Sequence, residues 1–145
     1  MRRLLLLSLL GAMLPRPAAA QTACTVSATP VSFGNYSPYA ASPLDSTGQV
    51  TVSCTQDSSY TITMNAGIHA GGNFTGRRMS NGQSYLAYQL YSDSTRTTIW
   101  GDGSGGSASQ FFANAGTATV YGRIPPRQTV SAGTFTDTIL VTISY

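Results

Sequence analysis

Few residues of this chain have side chains suited to acid–base, nucleophilic or metal chemistry. The sequence has five Asp and no Glu, eight Arg and no Lys, one histidine (His69) and two cysteines, Cys24 and Cys54. A general acid–base pair would need two of the scattered Asp residues. Two Cys with one His make neither a metal site nor a nucleophile with its base. We therefore expect no enzyme, no metal and no cofactor, and a small secreted hydrolase is the weakest alternative.

The first twenty residues have the pattern of a secretory signal peptide. Two arginines precede an apolar run at residues 4–14, and the three alanines at 18–20 supply a small-residue cleavage site. The run is too short to span a bilayer, which needs about 20 apolar residues. We expect residues 1–20 to be a signal peptide and residues 21–145 to form one secreted domain without stable membrane insertion.

Cleavage at that point also changes the charge of the protein. The full sequence carries a formal net charge of +3. Three of its eight arginines lie in the signal, so five Arg remain against five Asp. No excess of positive charge is left to bind phosphate groups, and the composition gives no support for nucleic acid as a partner.

The two cysteines are expected to form a disulfide, because export leads to an oxidising compartment. A bond between Cys24 and Cys54 would close a loop of about 30 residues and contribute roughly 3–4 kcal/mol by restricting the unfolded chain. The alternatives, a metal pair and a catalytic thiol, have only His69 to assist them.

The elements that would position these residues are β-strands. After residue 20 the sequence shows no helical period, but apolar and polar residues alternate in several segments, as in half-buried antiparallel strands. Turn residues separate these segments. We predict six or seven strands in an immunoglobulin-like β-sandwich. The segments are residues 24–33, 49–55, 60–66, 86–91, 118–124 and 135–145, the last interrupted by Asp137 and Leu140.

The last predicted strand lacks a neighbour on one side. The chain ends at Tyr145, inside its most apolar strand, and only residues 21–23 precede Cys24 after the predicted cleavage. We therefore expect an unpaired sheet edge, which natural proteins normally avoid. Ile139, Val141, Ile143 and Tyr145 should border an open groove at this edge.

Five segments, in order along the chain, resemble the spore coat protein U family, the domain of archaic chaperone–usher pilins. They are residues 24–36, 48–54, 86–103, 121–125 and 133–145. The resemblance implies an incomplete immunoglobulin-like β-sandwich that lacks its last strand and is completed by a donor strand. The implied partners are a periplasmic chaperone, an usher and a neighbouring pilin subunit, which bind by β-augmentation. The implied location is the cell surface or a fimbria, reached through the periplasm.

The chain departs from the shaft-pilin pattern, in which a donor segment precedes the first Cys. Three residues span about 10 Å at roughly 3.3 Å each, while useful strands have about five residues or more. We therefore expect a structural subunit that accepts a strand but gives none, at the tip or end of a fimbria or related coat.

A tip adhesin that binds a sugar or a surface is the main alternative, and it would use exposed aromatic side chains. The candidates are Tyr36, Tyr39, Tyr85, Tyr91 and Trp100. For two pairs of charged residues we expect structural roles. Arg77 and Arg78 are predicted to be a solvated loop pair, and Asp93 with Arg96 a salt-bridged turn.

Overall fold

The computed structural model describes residues 21–145, and nearly all of its regular structure is β-strand. The predicted signal, residues 1–20, lies outside the described residues. Within the described range the strands are β1 (Cys24–Thr29), β2 (Leu44–Cys54), β3 (Tyr60–Met64), β4 (Arg78–Ser80), β5 (Tyr85–Ala87), β6 (Gln89–Tyr91), β7 (Gln110–Phe112), β8 (Gly116–Ile124) and β9 (Val141–Ser144). One 3-10 turn, Phe74–Gly76, is the other regular element there. No helix in this part of the chain is long and apolar enough to cross a membrane.

The strands form two main sheets and a small third one. The first sheet has the order β1-β2-β8-β6, and the second has the order β7-β3-β9. Strands β4 and β5 make the third, a two-stranded sheet. All of these pairings are antiparallel. As a result, β1 lies at an edge of the first sheet and β9 at an edge of the second.

The core lies between the two main sheets. Val50 and Val52 of β2 and Val120 of β8 pack with Ile62 of β3, and all four are buried. Trp100 is buried in the same cluster, and its indole Nε1 donates a hydrogen bond to the carbonyl oxygen of Ile62 at 3.2 Å. Side chains from both sheets therefore form one core, and the chain is the all-β, immunoglobulin-like sandwich that the alternating segments predict.

The structure has more strands than the six or seven predicted, because short strands show too little alternation to be recognised. Strands β4 and β7 have three residues each and were missed. The segment predicted as one strand at 86–91 is two strands in different sheets, since the chain passes from β5 to β6 at Tyr88. The alternation runs unbroken through this change of sheet and does not reveal it.

Two predicted strands are shorter than expected. The first strand ends at Thr29, before Pro30, which has no backbone N–H to give to a ladder. The segment predicted at 135–145 is regular only in β9. Before β9, the N–H and C=O groups of Thr136 pair with those of Ser80, and Leu140 accepts from Asn65 N at 3.0 Å. This segment therefore crosses from the small sheet to the second main sheet.

Candidate functional site

An open, mainly apolar groove lies between β1 and the segment that leads into β9. Its volume is about 360 Å³. One wall includes Ala28, Pro30 and Val31, and the opposite wall includes Phe135, Ile139 and Val141. Core residues form the floor: Val50, Met64, Leu90 and Val120. The groove thus opens between the edges of the two main sheets and reaches their shared core.

The β1 wall presents side chains that occupy core positions without being covered. Val26 lies opposite Val52 and Ala28 opposite Val50 in the β1–β2 register. Directly opposite residues of an antiparallel pair point to the same face of the sheet, and here that face is the core. Val26 is nevertheless 41% exposed, because no strand of the described chain lies over it.

The β9 wall also has side chains that point toward the core but are not fully covered. Val141 lies opposite Met64 and Ile143 opposite Ile62, and both partners are buried. Val141 and Ile143 therefore point toward the core, yet both are only half-buried.

The four residues expected along the groove have different positions. Ile139 and Val141 line it, and Ile143 continues the same wall. Tyr145 follows the end of β9 and is 60% exposed. The structure thus brings three of the four onto one wall and places Tyr145 beyond it.

The backbone on both walls offers hydrogen-bonding groups to the groove. Alternate residues of a strand direct their N–H and C=O groups to opposite edges. Leu140 bonds toward β3 through Asn65, so Val141 and Ile143 direct their backbone groups to the open side. Ala23 accepts from Thr55 N at 2.9 Å, which by the same alternation turns the backbone of Val26 outward.

One acidic side chain, Asp137, lies among the described residues that line this mainly apolar groove. Asp137 lines the groove in phase with Phe135 and Ile139, so the residue that interrupts the sequence pattern keeps the same inward direction. Its Oδ2 accepts from the Tyr88 hydroxyl at 2.7 Å, and its Oδ1 accepts from Ile68 N at 3.0 Å. Burial, assisted by the hydrogen bond to Asp137, raises the pKa of Tyr88.

A buried arginine lies beside this pair, and the sequence did not indicate it. Arg77 is 1% exposed. It donates to Gln89 Oε1 at 2.8 Å and to the carbonyl oxygens of Asn65 and Trp100, both at 2.7 Å. Burial lowers its pKa, while Tyr88 and Asp137 oppose that change. The predicted solvated pair is therefore wrong for Arg77, although Arg78 is exposed.

The predicted disulfide joins the two strands at the end of the groove wall. Cys24 opens β1 and Cys54 closes β2, and the two residues lie directly opposite each other in the register. Their sulfurs are bonded across a sequence separation of 30 residues. With both thiols in this bond, neither cysteine is free to act as a nucleophile or metal ligand.

The aromatic candidates do not form one platform. Trp100 is buried, while Tyr39 is 92% and Tyr85 53% exposed. Among the described residues, no two of the five candidates stack on each other; Tyr85 instead packs with the His69 ring, 6.0 Å between centroids, and with the Arg78 guanidinium at 4.3 Å. Tyr36 and Tyr91 are half-buried.

The predicted salt bridge between Asp93 and Arg96 is wrong. Arg96 lies 3.4 Å from Asp45, which also accepts from Arg123 at 2.7 Å. The hydrogen bond from Arg123 is the main reason that the pKa of Asp45 is lowered. Asp93 closes its own loop by accepting from backbone N–H groups at 97 and 98.

Comparison with known proteins gives one family and one fold. The Spore Coat Protein U domain matches residues 10–142 of this chain. Protein U of Myxococcus xanthus is 36% identical over 129 residues, which are 79% of this chain and 71% of that protein.

A similar solved structure is the CsuC-CsuE chaperone-tip adhesion subunit pre-assembly complex from archaic chaperone-usher Csu pili of Acinetobacter baumannii. The TM-score is 0.61 at 22% identity, and the match covers 86% of this chain but 40% of the solved one. At this identity the similarity shows a shared fold. This chain spans well under half the length of that chain.

Proposed function

The chain belongs to the Spore Coat Protein U domain family, and we propose that it is a secreted structural subunit of a chaperone–usher pilus or related surface coat. A strand from a partner fills the groove between β1 and β9 and completes the sandwich. The observation that carries the proposal is the exposure of Val26, which points to the core but is 41% exposed.

A β-strand could satisfy both the apolar side chains and the outward-facing backbone groups of the groove walls. Its alternate side chains would cover the inward-pointing Val26, Val141 and Ile143. Its backbone would pair with the free edges of β1 and β9, so that the two sheets become continuous. Main-chain hydrogen bonds then supply affinity and the pockets between side chains supply specificity.

The partners follow from the family and the shared fold. The similar solved structure is a pre-assembly complex of a chaperone and a tip adhesion subunit. For this chain we propose the same sequence of partners: a periplasmic chaperone first, then an usher and a neighbouring subunit. Export to the periplasm and display at the cell surface accompany that role.

Within this function, the chain accepts a strand but does not give one. Cleavage after Ala20 would leave residues 21–23 before Cys24. Three residues reach about 10 Å, shorter than a strand that could fill a neighbour's groove. The short segment before Cys24 supports a role at the tip or end of the assembly.

A synthetic peptide with alternating apolar residues tests the proposal directly. Peptide that binds only the folded protein should raise its melting temperature, by an amount equivalent to about 2.7 kcal/mol at 100 times the dissociation constant. Val141→Arg, which places a charge on the groove wall, should abolish this effect. Leu140→Arg is the matched control, because Leu140 precedes Val141 but points away and is 64% exposed.

Melting of the two variants without peptide establishes that both fold. A protein that melts cooperatively at the same temperature with and without peptide would exclude an incomplete fold. Equal peptide effects in both variants would place the binding site elsewhere.

A tip adhesin is the second candidate, and one observation favours it. Tyr85 is 53% exposed while its ring packs with the Arg78 guanidinium and the His69 ring, and an exposed aromatic ring suits contact with a sugar or an apolar surface. Tyr85→Ala should then reduce adhesion of assembled pili without reducing their number. Unchanged adhesion would remove this candidate.

A further inference from the structure

We propose that the strand which fills the groove carries a side chain that donates a hydrogen bond, such as threonine, at the single position that faces Asp137. Its other groove-facing side chains are apolar. This inference rests on the proposed function and adds the chemistry of the partner strand.

The wall that leads into β9 sets the order of these positions. The half-buried residues at alternate positions are Phe135, Asp137, Ile139, Val141 and Ile143. Four of the five are apolar. A strand that lies along this wall places its own alternate side chains beside them, so its second groove-facing position from one end meets a carboxylate.

Within the part of the chain that the structure describes, three hydrogen bonds reach the carboxylate of Asp137, which leaves one acceptor site without a partner. Oδ1 accepts from Ile68 N at 3.0 Å and from Thr138 N at 2.9 Å. Among residues 21–145, Oδ2 accepts only from the Tyr88 hydroxyl, at 2.7 Å. An ionised carboxylate offers about four acceptor sites, so Oδ2 retains one.

The carboxylate is also fixed in place. Gly67 adopts φ +89 and packs against it, and a Cβ at this position would collide with Oδ2. The bond to Ile68 N holds the other oxygen. These contacts hold the Asp137 carboxylate in the groove.

A wholly apolar strand would remove water from this carboxylate without replacing its hydrogen bond, which is costly for a charged acceptor. The partner strand needs only a neutral hydrogen-bond donor at this position, and not a positive charge. The buried Arg77 guanidinium already supplies a positive charge, and the Asp137 charge opposes the lowering of its pKa by burial.

A positional scan with synthetic peptides tests the inference on the unchanged protein. The parent is a nine-residue peptide with Val at the five groove-facing positions and polar residues between them, and each scan peptide replaces one Val by Thr. Thr and Val have nearly the same shape, so the comparison isolates the hydroxyl. Only the peptide with Thr at the second position from one end should bind more tightly, by about tenfold. Thr at the other four positions should weaken binding.

The outcomes distinguish a failure of this inference from a failure of the proposed strand-accepting function. If all peptides bind and the all-Val parent binds most tightly, the polar position is excluded while strand binding stands. Improvement at another position, or at several, also overturns the inference. If no peptide binds, the proposed function itself fails.

Asp137→Leu supplies a second arm, because it should reverse the preference in favour of the all-Val peptide. If this variant does not fold, the scan on the unchanged protein still decides.

Discussion

Arg77 and Arg78 are neighbours in the sequence with opposite environments. Arg77 is buried and donates to three oxygen atoms, while Arg78 is exposed, donates to the carbonyl oxygen of His69 and lies over the Tyr85 ring. Two adjacent arginines look equivalent in a sequence. They differ because Arg78 begins a strand and successive side chains along an extended chain point to opposite faces.

Replacement of each arginine by methionine should give very different losses of stability. Arg77→Met leaves the carbonyl oxygens of Asn65 and Trp100 without a buried donor, and we expect a loss of about 3 kcal/mol or more. Arg78→Met should cost about 1 kcal/mol or less, as for other exposed charges. Urea unfolding measures both changes. Similar losses for the two variants would contradict the environments described here.

Asp93 provides a pH-dependent contribution to stability. Hydrogen bonds from the Thr95 hydroxyl, then from backbone N–H groups at 98 and 97, lower its pKa below its ordinary value. The unfolded chain, with a carboxyl pKa of about 3.9, therefore binds this proton more readily than the folded one. The resulting stability is present above about pH 4 and is lost as the pH falls through the lower, folded value.

Asp93→Asn should therefore reduce stability at pH 7 and flatten its decline between about pH 5 and pH 2. Unfolding midpoints across that range give the slope. Asp57→Asn is the control, because Asp57 is exposed and makes no side-chain hydrogen bond among the described residues. If the dependence of stability on pH is unchanged in Asp93→Asn, Asp93 does not contribute to acid destabilisation.

At the scale of elements, alternation predicted those strands that have one face in the core and one in solvent. Strands β2, β3 and β8 are of this kind. The prediction failed where several short strands share one continuous alternation, as on the two sides of Tyr88. Period alone does not show which sheet receives a strand.

The side chains along one wall of the groove were predictable in outline, because alternation places Ile139 and Val141 on the same face of the chain. The place of Asp137 was not. Its inward direction depends on two residues that are distant in sequence: Tyr88, which donates a hydrogen bond to it, and Gly67, which has no Cβ at the point of contact. Such a contact leaves no periodic signal.

No strand of residues 21–145 pairs with the outer edges of β1 and β9, and this predicts a distinct pattern of hydrogen exchange. Amides of Val26 and Val141 face the open side and should exchange quickly in the isolated protein. A bound strand peptide should slow both by at least about tenfold, because they gain ladder bonds. Ser27 and Thr142 face their paired strands and should change much less. NMR-detected exchange distinguishes these neighbours, and protection of all four residues without peptide would mean that the edges are already paired.

At the scale of the whole molecule, an acceptor that gives no strand should end a polymer. Head-to-tail strand exchange propagates only while each subunit supplies a strand to the next. Purified protein that begins at Gln21 should therefore form no extended fibres in electron micrographs. Grafting about twelve alternating apolar residues before Cys24 should permit self-complementation or polymerisation.

Mass spectrometry of the same sample identifies its first residue. If protein confirmed to begin at Gln21 forms ordered fibres, the terminal role is wrong and the subunit belongs in the shaft. A grafted protein that stays open and monomeric would instead show that the groove does not accept such a strand.

The disulfide also determines how tension would pass through this subunit. All residues of β1 after Cys24 are exposed, so β1 is held mainly by its ladder to β2. A strand pulled within the groove would load β1 and tend to peel it from one end. The Cys24–Cys54 bond closes that end and transfers the load to β2, which β8 supports on its other side. Reduction of this one bond should therefore lower the rupture force of the joint in single-molecule pulling.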